Sequence, residues 1–517
     1  MLEYNPSEPS GRSQGESTAA RRLLVSVSIR VDPHQPVLVG IGTCMQREED
    51  FALAKEPLDL MIESVRRAGV DAGGAHTLTG VQRIAVPKGR WRYRNPAGEI
   101  GRAIGATSAV SVLAGVGVLQ QSLIGDACGR IAAGEIDSAL VVGADAGYRI
   151  LRAKWAGQRA LERQQEDEPH TSLEPEEELL HPAELRAGIR LPVALYAIIE
   201  SAWRVQQGWS VDQHRQKLGA MVQRFSEIAA GNPRAWKREQ LSAQEIIEVS
   251  ERNAMQAFPY TRLHCASWNV DQAGAMLLCS AAKAEQLGIA RCKWIYALAS
   301  TESNHMLAVS ARAQLHACPG ARLAGRAAFE AANVDASQID LVELYSCFPI
   351  AVESCARELG LSLTRDFTVT GGMPFAGGPF NNYVLQATCR MAELIREGRG
   401  RTGLVSSVSG ILTKQGFGLW SSEAGAGSFV FKDVSDETAR STGVKEVADA
   451  FHGPGLVAGY TVLHEKGKKA RALVLADTEG NRRALAWSED HTLVQRMETA
   501  EFCGVLINIQ GDAFAPA

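Results

Sequence analysis

The stretch Thr370 to Tyr383, TGGMPFAGGPFNNY, holds four glycines and two prolines in fourteen residues. Paired glycines permit positive φ angles and let a ligand approach the backbone, while proline fixes the turn. The stretch follows a strand-like sequence, Asp366 to Thr370, and precedes a helix-like run, Val384 to Arg396. Ligands of α/β proteins bind at such junctions. We therefore predict a loop at a binding site; the alternative is a glycine-rich connector without chemistry.

The composition is that of a globular protein with several units. The chain has 517 residues, of which 45% are hydrophobic and 22% charged, and its net charge is −4. A length divided by about 150 residues per domain suggests about three units. The charge argues against general affinity for nucleic acids or anionic membranes. No apolar run approaches the roughly 18 residues of a spanning helix, and the first residues lack a signal-peptide core. We expect a cytoplasmic protein without a membrane span.

The ten cysteines are scattered, without CxxC pairs or zinc-like spacing. This usage is typical of reduced thiols in a cytosolic protein, so neither a disulfide framework nor a metal site is predicted. Most are expected to be small core residues. Cys128 lies well inside a predicted helix and is expected to be buried and neutral.

Strand-like and helix-like runs alternate in both halves of the chain. Residues 1–34 are polar and are predicted to be a disordered leader. Buried strands are predicted from Pro36 to Thr43 and from Asp137 to Asp145, with a nearly apolar helix ending at Gly134 between them. The same alternation returns after residue 268. This pattern indicates an α/β architecture, and its recurrence suggests a duplicated fold.

Two segments depart from this alternation. Residues 148–260 are rich in charge and in helical periodicity, and we predict a mainly helical insertion whose acidic run, Glu166 to Glu178, is a solvated surface rather than a metal site. Residues 433–517 contain short strand-like runs split by turns, which predict a small all-β module such as a barrel. From Lys432 to Ala517 there are 10 basic and 13 acidic side chains, so we expect no nucleic-acid partner.

Six stretches between Pro36 and Lys432 together resemble the thiolase superfamily, specifically sterol-carrier-protein-x-type thiolases and thiolase-like proteins described as acetyl-CoA acetyltransferases. They are IAAGEIDSALVVGADA (131–146), HPAELRAGIRLPVALY (181–196), FPYTRLHCASWNVDQAGAMLLCS (258–280), DLVELYSCFP (340–349), GGMPFAGGPFNNY (371–383) and LTKQGFGLWS (412–421).

The resemblance implies a duplicated, five-layer thiolase fold built from two βαβαβαββ halves. The first half would span residues 35–280 and include the inserted loop domain, 148–260, and the second half would span 281–432. The module at 433–517 resembles the C-terminal extension of a thiolase-like subgroup and small oligonucleotide/oligosaccharide-binding (OB-like) barrels.

All four catalytic positions that the resemblance implies are changed in this sequence. Thiolase chemistry requires a thiolate nucleophile, an activating histidine, a second cysteine and an oxyanion site. The nucleophile position falls on Gly117, and the histidine of the Gly-His-Pro motif is replaced by Gly378. The oxyanion box reads Tyr345 to Phe348, YSCF. The last motif, Cys-x-Gly, falls near Ser407 to Gly410.

We therefore predict a site without a cysteine nucleophile. Tyr345 can donate a hydrogen bond to a thioester carbonyl or act as an acid or base, unless it only fills the space of the lost histidine. Cys347 is the nearest candidate thiol. The candidate substrate-binding residues are Gly117, Gly377, Gly378, Pro379, Asn381, Ser409 and Gly410.

The predicted function is that of a thiolase-like protein that handles acyl-CoA thioesters without classical thiolysis. Thiolase-like retro-aldolases of steroid side-chain degradation also lack the cysteines, so cleavage of a β-hydroxyacyl-CoA is one alternative. A non-catalytic acyl-CoA-binding or scaffold protein is the other. No cofactor is expected beyond the CoA of the substrate, and a homodimer or a partner protein is possible.

Overall fold

A buried apolar strand begins the folded part of the chain. The computed structural model describes residues 31–517, and within them Pro36–Gln46 forms a strand with mostly buried side chains. A strand of this composition needs cover on both faces. The predicted leader, residues 1–34, lies almost wholly outside the described residues.

The strands of the described chain are numbered in chain order. They are β1 (Pro36–Gln46), β2 (Arg83–Pro87), β3 (Val110–Ala114), β4 (Ser138–Ala146), β5 (Thr171–Leu173), β6 (Met255–Ala257), β7 (Tyr260–Thr261), β8 (Asp271–Ser280), β9 (Ile295–Ser303), β10 (Leu341–Glu343), β11 (Thr402–Ser409), β12 (Lys414–Ser421), β13 (Val430–Asp433), β14 (Glu446–Ala448), β15 (His452–Leu463), β16 (Arg471–Thr478), β17 (Arg482–Ser488), β18 (Leu506–Gln510) and β19 (Ala513–Pro516).

The helices are numbered in the same way. They are α1 (Pro57–Asp71), α2 (Pro96–Ile104), α3 (Gln120–Ala132), α4 (Gly147–Trp155), α5 (Pro182–Arg186), α6 (Val193–Gln206), α7 (Val211–Gly231), α8 (Ala243–Ile247), α9 (Ala281–Gln286), α10 (Pro319–Ala332), α11 (Pro349–Glu358), α12 (Gly372–Ala376), α13 (Tyr383–Arg396), α14 (Ser435–Ser441) and α15 (His491–Thr499). Several begin with proline, whose missing N–H costs nothing in the first helical turn.

The main sheet contains the same strand arrangement twice. Its first half runs β3-β2-β4-β8-β1 and its second half runs β10-β11-β12-β9. From β2, and again from β10, successive pairs are parallel, antiparallel and antiparallel. The first strands of the two halves also pair with each other, with Val37 opposite Tyr296. This repetition confirms the prediction of a duplicated α/β fold.

The helices α3 and α13 occupy equivalent places in the two halves and share one apolar core. Leu123 and Ile131 of α3 and Leu385 and Ile395 of α13 belong to a single buried cluster with side chains from strands of both halves. Cys128 is also in this cluster and is fully buried, as predicted. The apolar character of both helices follows from this position, since a polar side chain there would lose its water without gaining a partner.

One predicted strand is wrong, and the loop after it contains a helix that was not expected. Residues 366–370 are irregular, because the N–H groups of Val369 and Thr370 are directed to the Glu343 carboxylate instead of a neighbouring strand. The glycine-rich stretch that follows forms the one-turn helix α12. Side-chain hydrogen bonds to backbone groups compete with strand formation in this way.

The helical insertion also adds strands to both sheets. Its strand β5 pairs in parallel with β3, with Val112 opposite Thr171, and so covers the edge of the main sheet. Its strand β6 pairs with β15, where Ala257 lies opposite Leu463. The sequence pattern showed only the helices of this segment, because strands of two or three residues carry no measurable alternation.

The C-terminal module is a closed five-stranded barrel, as predicted. Each of the strands β15 to β19 pairs with two others: β15 with β16 and β18, β17 with β16 and β19, and β18 with β19. Closure leaves no free edge within the ring. The barrel core also includes Val211 and Phe258 of the insertion.

The barrel is fixed to the insertion through a buried arginine. Arg204 of α6 is fully buried, and its guanidinium donates hydrogen bonds to the hydroxyl of Tyr460, at 2.9 Å, and to both carboxylate oxygens of Glu501. A planar guanidinium suits this paired geometry better than an ammonium group would. The hydrogen bonds join α6 to β15 and to the segment that follows α15.

Among residues 31–517, no helix is long and apolar enough to cross a membrane.

We expect Arg204→Met to lower the free energy of unfolding by about 1–3 kcal/mol, because Met keeps most of the volume but leaves Tyr460 and Glu501 without their donor. Glu501 is 35% exposed and will be partly solvated, so we expect a value in the lower half of this range. The measurement is guanidinium unfolding of the full chain. The matched control is Arg186→Met, since Arg186 and its partner Asp449 are both largely exposed. Equal stability of the two variants would contradict this prediction.

Candidate functional site

A buried carboxylate at the end of β10 organises the loops around the predicted site. Glu343 is fully buried, and its oxygens accept hydrogen bonds from several backbone and hydroxyl donors. The donors are the N–H groups of Val369 and Thr370 and the hydroxyl groups of Thr368, Thr370 and Tyr383. The carboxylate therefore ties the end of β10 to the start of the glycine-rich loop and to the start of α13.

Burial raises the pKa of Glu343 to about 7, and the hydrogen bonds from Tyr383 and from the backbone only partly oppose this rise. The folded protein therefore keeps the Glu343 carboxyl group protonated at pH values where the unfolded chain has lost that proton. The contribution of Glu343 to stability therefore falls as the pH rises from about 4.5 to about 7.

Tyr345 and Cys347 follow directly after this carboxylate, and both are half-buried. The N–H of Tyr345 donates to the Ser406 hydroxyl at 2.8 Å, and its ring stands edge-on to Tyr383 with the ring centres 5.7 Å apart. The carbonyl of Cys347 accepts a hydrogen bond from the N–H of Ala266 at 3.1 Å. Both side chains are thus held on a fixed backbone between β11 and the segment that precedes β8.

Both groups are protonated at neutral pH. Burial raises the pKa of the Tyr345 phenol, with a further rise from nearby Cys347. Burial also raises the pKa of the Cys347 thiol to about 12, although a hydrogen bond from Tyr196 acts in the opposite direction. A reactive cysteine needs an environment that favours the thiolate. The surroundings of Cys347 favour the neutral thiol instead.

The glycine-rich loop is packed tightly at the two glycines of Gly377-Gly378-Pro379, the triplet predicted to correspond to the Gly-His-Pro motif. Gly377 has a φ of 103°, and a Cβ there would lie 2.3 Å from Oε1 of Gln272. At Gly378 a Cβ would lie 2.9 Å from Cε of Met373 and 3.2 Å from Cβ of Ala266. Met373 and Ala266 therefore occupy the space that a side chain would need at Gly378. Pro379, the third residue of this motif, is also buried.

Asn381 connects this loop to the start of α3. Nε2 of Gln120 donates to Oδ1 of Asn381 at 3.2 Å, and Oε1 of Gln120 accepts from the N–H of Val384 at 2.8 Å. Gln120 is the first residue of α3 and is buried. A single amide thus holds the amino ends of the two core helices together.

Gly117 lies just before α3, beneath the insertion. Its φ is 109°, and a Cβ there would lie 3.1 Å from Cγ of Pro175. The N–H of Gly115 donates to the carbonyl of Leu173 at 2.7 Å. The acidic run is exposed at its glutamates, as predicted, but its backbone passes directly over the start of this helix.

Ser409 and Gly410 lie at the turn between β11 and β12. Gly410, Ile411 and Leu412 have φ angles of 62°, 48° and 77°, which is rare for branched or bulky residues. The buried guanidinium of Arg312 donates to the carbonyls of Gly410 and Ile411, the latter at 2.7 Å. Burial lowers the pKa of Arg312 to about 10, so the guanidinium stays charged and holds this strained turn.

A cavity of about 500 Å³ lies between the start of α3 and this turn. Val118, next to Gly117, lines one side, and Lys414, directly after the turn, lines the other. Glu302 and His305, at the end of β9, complete its polar lining. Sequence reasoning did not identify these groups. The sequence held one signal for Glu302 and Lys414, since each is a charged residue near one end of an otherwise apolar strand, IYALASTES and KQGFGLWS.

The structure therefore gathers the predicted residues in two places. Tyr345, Cys347, Gly377, Gly378 and Asn381 lie on segments joined by direct hydrogen bonds around α12 and the start of α13. Gly117 and the turn with Ser409 and Gly410 lie close in sequence to Val118 and Lys414, which line the cavity. The two places are linked by Gln120 at one end and by β11, through Ser406, at the other.

One cluster among the described residues has the composition of a metal site. Ligand atoms of Glu200, His214 and Glu353 lie within 4.8 Å of one another. Glu200 is bonded to Nε2 of His214 at 2.8 Å and to the Tyr260 hydroxyl. Burial favours a raised pKa for Glu200, but His214 together with the hydrogen bonds from Tyr260 and Glu353 lowers it overall, whereas burial and the charge of Glu200 raise the pKa of Glu353.

The repeated sheet, the two core helices, the four loops at their ends and the fused barrel define a thiolase-like protein. The monomeric SCP2-thiolase like protein type 1 from Mycobacterium smegmatis superposes with a TM-score of 0.79 at 25% identity, covering 94% of this chain and all of that one. The Ltp2-ChsH2(DUF35) aldolase has a TM-score of 0.58 at 16% identity, and human mitochondrial 3-ketoacyl-CoA thiolase has 0.55 at 14%. Each covers 76% of this chain, with 99% and 100% of its own length matched. The last two likenesses concern the fold alone.

Sequence relatives are acetyl-CoA acetyltransferases of two archaea. That of Methanocaldococcus jannaschii is 24% identical over 167 residues, 32% of this chain and 40% of its own. That of Methanothermobacter thermautotrophicus is 26% identical over 237 residues, 43% of this chain and 58% of its own. The chain thus spans about half the length of these relatives, and no family model matches it. The chain is thus similar in fold and in sequence to proteins of the thiolase superfamily, SCP2-thiolase-like proteins among them.

We expect Glu343→Gln to lower the free energy of unfolding by about 1–3 kcal/mol at pH 8, where the Glu343 carboxylate is ionised, because the amide nitrogen presents a donor where the donors of residues 368–370 and Tyr383 need an acceptor. Thermal and guanidinium unfolding measure this loss. Glu397→Gln, at an exposed carboxylate on the end of α13, is the control and should change stability by less than about 0.5 kcal/mol. If Glu343→Gln is as stable as the control, the carboxylate does not organise these loops.

Proposed function

We propose that this protein binds acyl-CoA thioesters at the thiolase-like loops without using a cysteine nucleophile. The observation that carries the proposal is the phenol of Tyr345. It lies where the family resemblance implies an oxyanion group, it is protonated, and its hydroxyl has no hydrogen-bond partner among residues 31–517. A neutral donor of this kind suits the carbonyl oxygen of a thioester.

The residues at the predicted catalytic positions argue against cysteine chemistry. Glycine at positions 117 and 378 supplies neither a thiol nor an imidazole, and Met373 and Ala266 fill the space beside Gly378. Burial raises the pKa of the nearest thiol, Cys347, to about 12, so the thiol is protonated at pH 7, whereas a nucleophile needs the thiolate.

A second candidate function is cleavage of a carbon–carbon bond in a β-hydroxyacyl-CoA by a retro-aldol reaction. The fold likeness to the Ltp2-ChsH2(DUF35) aldolase supports it. So do the tyrosines around the site, since Tyr345 stands edge-on to Tyr383 and Tyr196 packs against Phe348 with the ring centres 4.5 Å apart. Phenols can serve as acids or bases where cysteines are missing. The barrel is part of the same chain and would be a built-in partner.

A third candidate, a non-catalytic scaffold, is favoured by the dense packing at Gly378 and Gly117. It differs from the first two in one respect that can be measured, because a scaffold needs no acyl-CoA. Binding of acyl-CoA by the purified full chain is therefore the test that separates it from the others.

Thiolysis of acetoacetyl-CoA by the full chain should not exceed the rate without protein, because the thiolate and its activating histidine are both missing. Formation of acetyl-CoA measures this, with an ordinary thiolase as the positive control. Cys347→Ala should behave like the wild type. Turnover similar to the positive control, surviving in Cys347→Ala, would show that another group performs the acyl transfer. Turnover lost in that variant would make Cys347 the nucleophile.

Tyr345→Phe should weaken acetyl-CoA binding by about two- to tenfold, the range of one lost hydrogen bond. Affinity for CoA itself should not change, because CoA has no thioester carbonyl. Isothermal titration calorimetry measures both ligands. The control is Tyr296→Phe, since Tyr296 lies at the start of β9 and its hydroxyl contacts Arg291. An unchanged acetyl-CoA affinity in Tyr345→Phe would leave this phenol a packing residue.

A further inference from the structure

A lysine and a serine form a hydrogen-bonded pair beside the glycine-rich loop, and neither has a role in the function proposed above. Nζ of Lys237 lies 2.8 Å from the hydroxyl oxygen of Ser267. Lys237 follows α7 in the insertion and Ser267 precedes β8, so the pair joins two segments that are 30 residues apart in sequence. Both residues are half-buried. The pair is therefore not sealed inside the apolar core.

The pair is fixed to the loop that contains Gly378. The N–H of Ser267 donates to the carbonyl of Met373 at 3.0 Å, and the N–H of Gly378 donates to the carbonyl of Ser267 at 2.9 Å. The N–H of Lys237 donates to the carbonyl of Phe375 at 2.8 Å. Both residues thus lie against α12, next to the position where the family resemblance implies the activating histidine.

The pair is also next to the predicted oxyanion box. Ala266, the neighbour of Ser267 in sequence, donates its N–H to the carbonyl of Cys347 at 3.1 Å, and Cys347 is two residues after Tyr345. Direct hydrogen bonds therefore join the segment of Ser267 to the segment of Tyr345 on one side and to the segment of Gly378 on the other. These are the loops at which we propose that the thioester binds.

The hydroxyl group of Ser267 has the contacts of a nucleophile held by a base. It donates to the carbonyl of Pro374 at 2.8 Å and accepts from Nζ of Lys237. A base must lie within about 2.6–3.2 Å of the oxygen whose proton it takes, and the 2.8 Å between Nζ and Oγ meets this condition. A neutral amine at the same place can accept the hydroxyl proton, and serine with lysine is a known arrangement for activating a hydroxyl group.

The surroundings of Lys237 favour its neutral amine. Burial lowers the pKa of Lys237, and the charge of Arg262 lowers it further, while Glu239 acts in the opposite direction. Within residues 31–517 no ion pair includes Lys237, and its hydrogen-bond partner is a hydroxyl group. A lysine that only linked two segments would bind a carboxylate more strongly than a hydroxyl. The form that can act as a base is therefore more accessible at Lys237 than in an exposed lysine.

Two tryptophans adjacent in sequence bring the pair close to the surface. Trp268, directly after Ser267, is 46% exposed. Trp236, directly before Lys237, is covered by the exposed guanidinium of Arg47 at 4.4 Å from its ring centre. A positive charge at the surface beside the pair attracts the phosphates of CoA.

We propose that Ser267 is a nucleophile for acyl-CoA thioesters, with Lys237 as its general base, and that the protein hydrolyses these thioesters through an acyl-serine. This inference rests on the proposed function, that the protein binds acyl-CoA, and it names the reaction. Both residues are then catalytic residues that no cysteine or histidine of the thiolase pattern replaces.

The reaction has two steps. In the first, Oγ of Ser267 bonds to the carbonyl carbon of the thioester while the neutral amine of Lys237 takes the hydroxyl proton. The carbon–sulfur bond breaks, and Lys237 passes the proton to the sulfur of CoA. In the second, a water molecule bonds to the acyl carbon, Lys237 transfers a proton from this water to Oγ, and the ester bond breaks. The products are CoA and a carboxylic acid, with water as the co-reactant.

The test is hydrolysis of acetyl-CoA by the full chain at pH 8, followed by chromatography of CoA. We expect a rate above that without protein, and Ser267→Ala should lower kcat at least about a hundredfold because the nucleophile is missing. Lys469→Met, at an exposed lysine between β15 and β16, is the control and should keep the wild-type rate. Melting temperatures show that the variants are folded. Hydrolysis at the wild-type rate in Ser267→Ala would overturn the proposal.

Two variants of Lys237 separate a base from a structural link. Lys237→Met removes the amine, and Lys237→Arg keeps a charged donor that cannot act as a base near neutral pH. We expect both to lower kcat at least about a hundredfold, the range for loss of a general base. Recovery of the wild-type rate in Lys237→Arg would make the lysine a structural donor and contradict the proposal.

The acyl-serine is a direct readout. Wild-type protein mixed with acetyl-CoA and stopped with acid should carry an acetyl group on Ser267, located by mass spectrometry of its peptides, and Ser267→Ala should carry none at this position. An acetyl group on Lys237 or Cys347, with Ser267 unmodified, would overturn the proposal.

The dependence on pH is a further readout. The rate of the wild type, corrected for the reaction without protein, should rise with pH as Lys237 loses its proton and should level off below the ordinary lysine value of 10.5. Arg262 and Glu239 act on this amine, and Tyr345 and Cys347 are titratable groups of the adjoining segment. A rise of the same size in Lys237→Arg would assign the dependence to one of these groups and contradict the proposal.

Binding to Ser267→Ala separates failure of this inference from failure of the proposed function. Calorimetric titration of this variant with acetyl-CoA measures affinity without turnover. If acetyl-CoA binds but the wild type gives neither hydrolysis nor an acetyl-serine, the proposed function stands and this inference fails. If acetyl-CoA binds neither the variant nor the wild type, the proposed function fails and this inference fails with it.

Discussion

The burial of α3 and α13 between the strands of the two halves is the constraint on which the rest of the structure depends. The buried apolar residues of both helices belong to one core, which leaves little room for reactive groups on their inner faces. Polar contacts that join the two helices lie where the helices begin. Gln120 there joins the two amino ends, and Glu343 fixes the loop that leads into α13. Several of the predicted site residues, among them Gly117, Gly378 and Asn381, lie on the segments that lead into these ends.

The helix α6 extends this arrangement to the barrel. Tyr196, Glu200 and Arg204 are four residues apart, so they lie on one face of the helix, and all three are buried. Tyr196 packs on Phe348 beside the candidate site, Glu200 bonds to His214 and Tyr260, and Arg204 bonds to the barrel. The polar face of one helix therefore passes from the candidate site to the C-terminal module. A shift of the barrel would have to displace groups that are buried and hydrogen bonded.

The fold could be predicted from the sequence to a greater extent than the candidate site. Continuous apolar runs such as Pro36–Gln46 and a recurring strand–helix alternation are local signals, and the structure follows them. The strand predicted at residues 366–370 failed because Glu343, distant in sequence, takes its N–H groups. Glu302, His305 and Lys414 were missed for a related reason. Each is an ordinary polar residue in its own segment, and only the pairing of β9 with β12 brings them to one cavity.

The short strand β5 has a consequence for how the protein avoids aggregation. Without it, β3 would present unpaired N–H and C=O groups to any extended chain that it met. The edge strand is instead β5, which is three residues long and leads into a segment with four glutamates between residues 174 and 178. An extended segment of another chain would find few backbone groups to pair with at this edge, and the negative charge there would repel it. The insertion thus protects this edge of the folded sheet from unwanted strand addition.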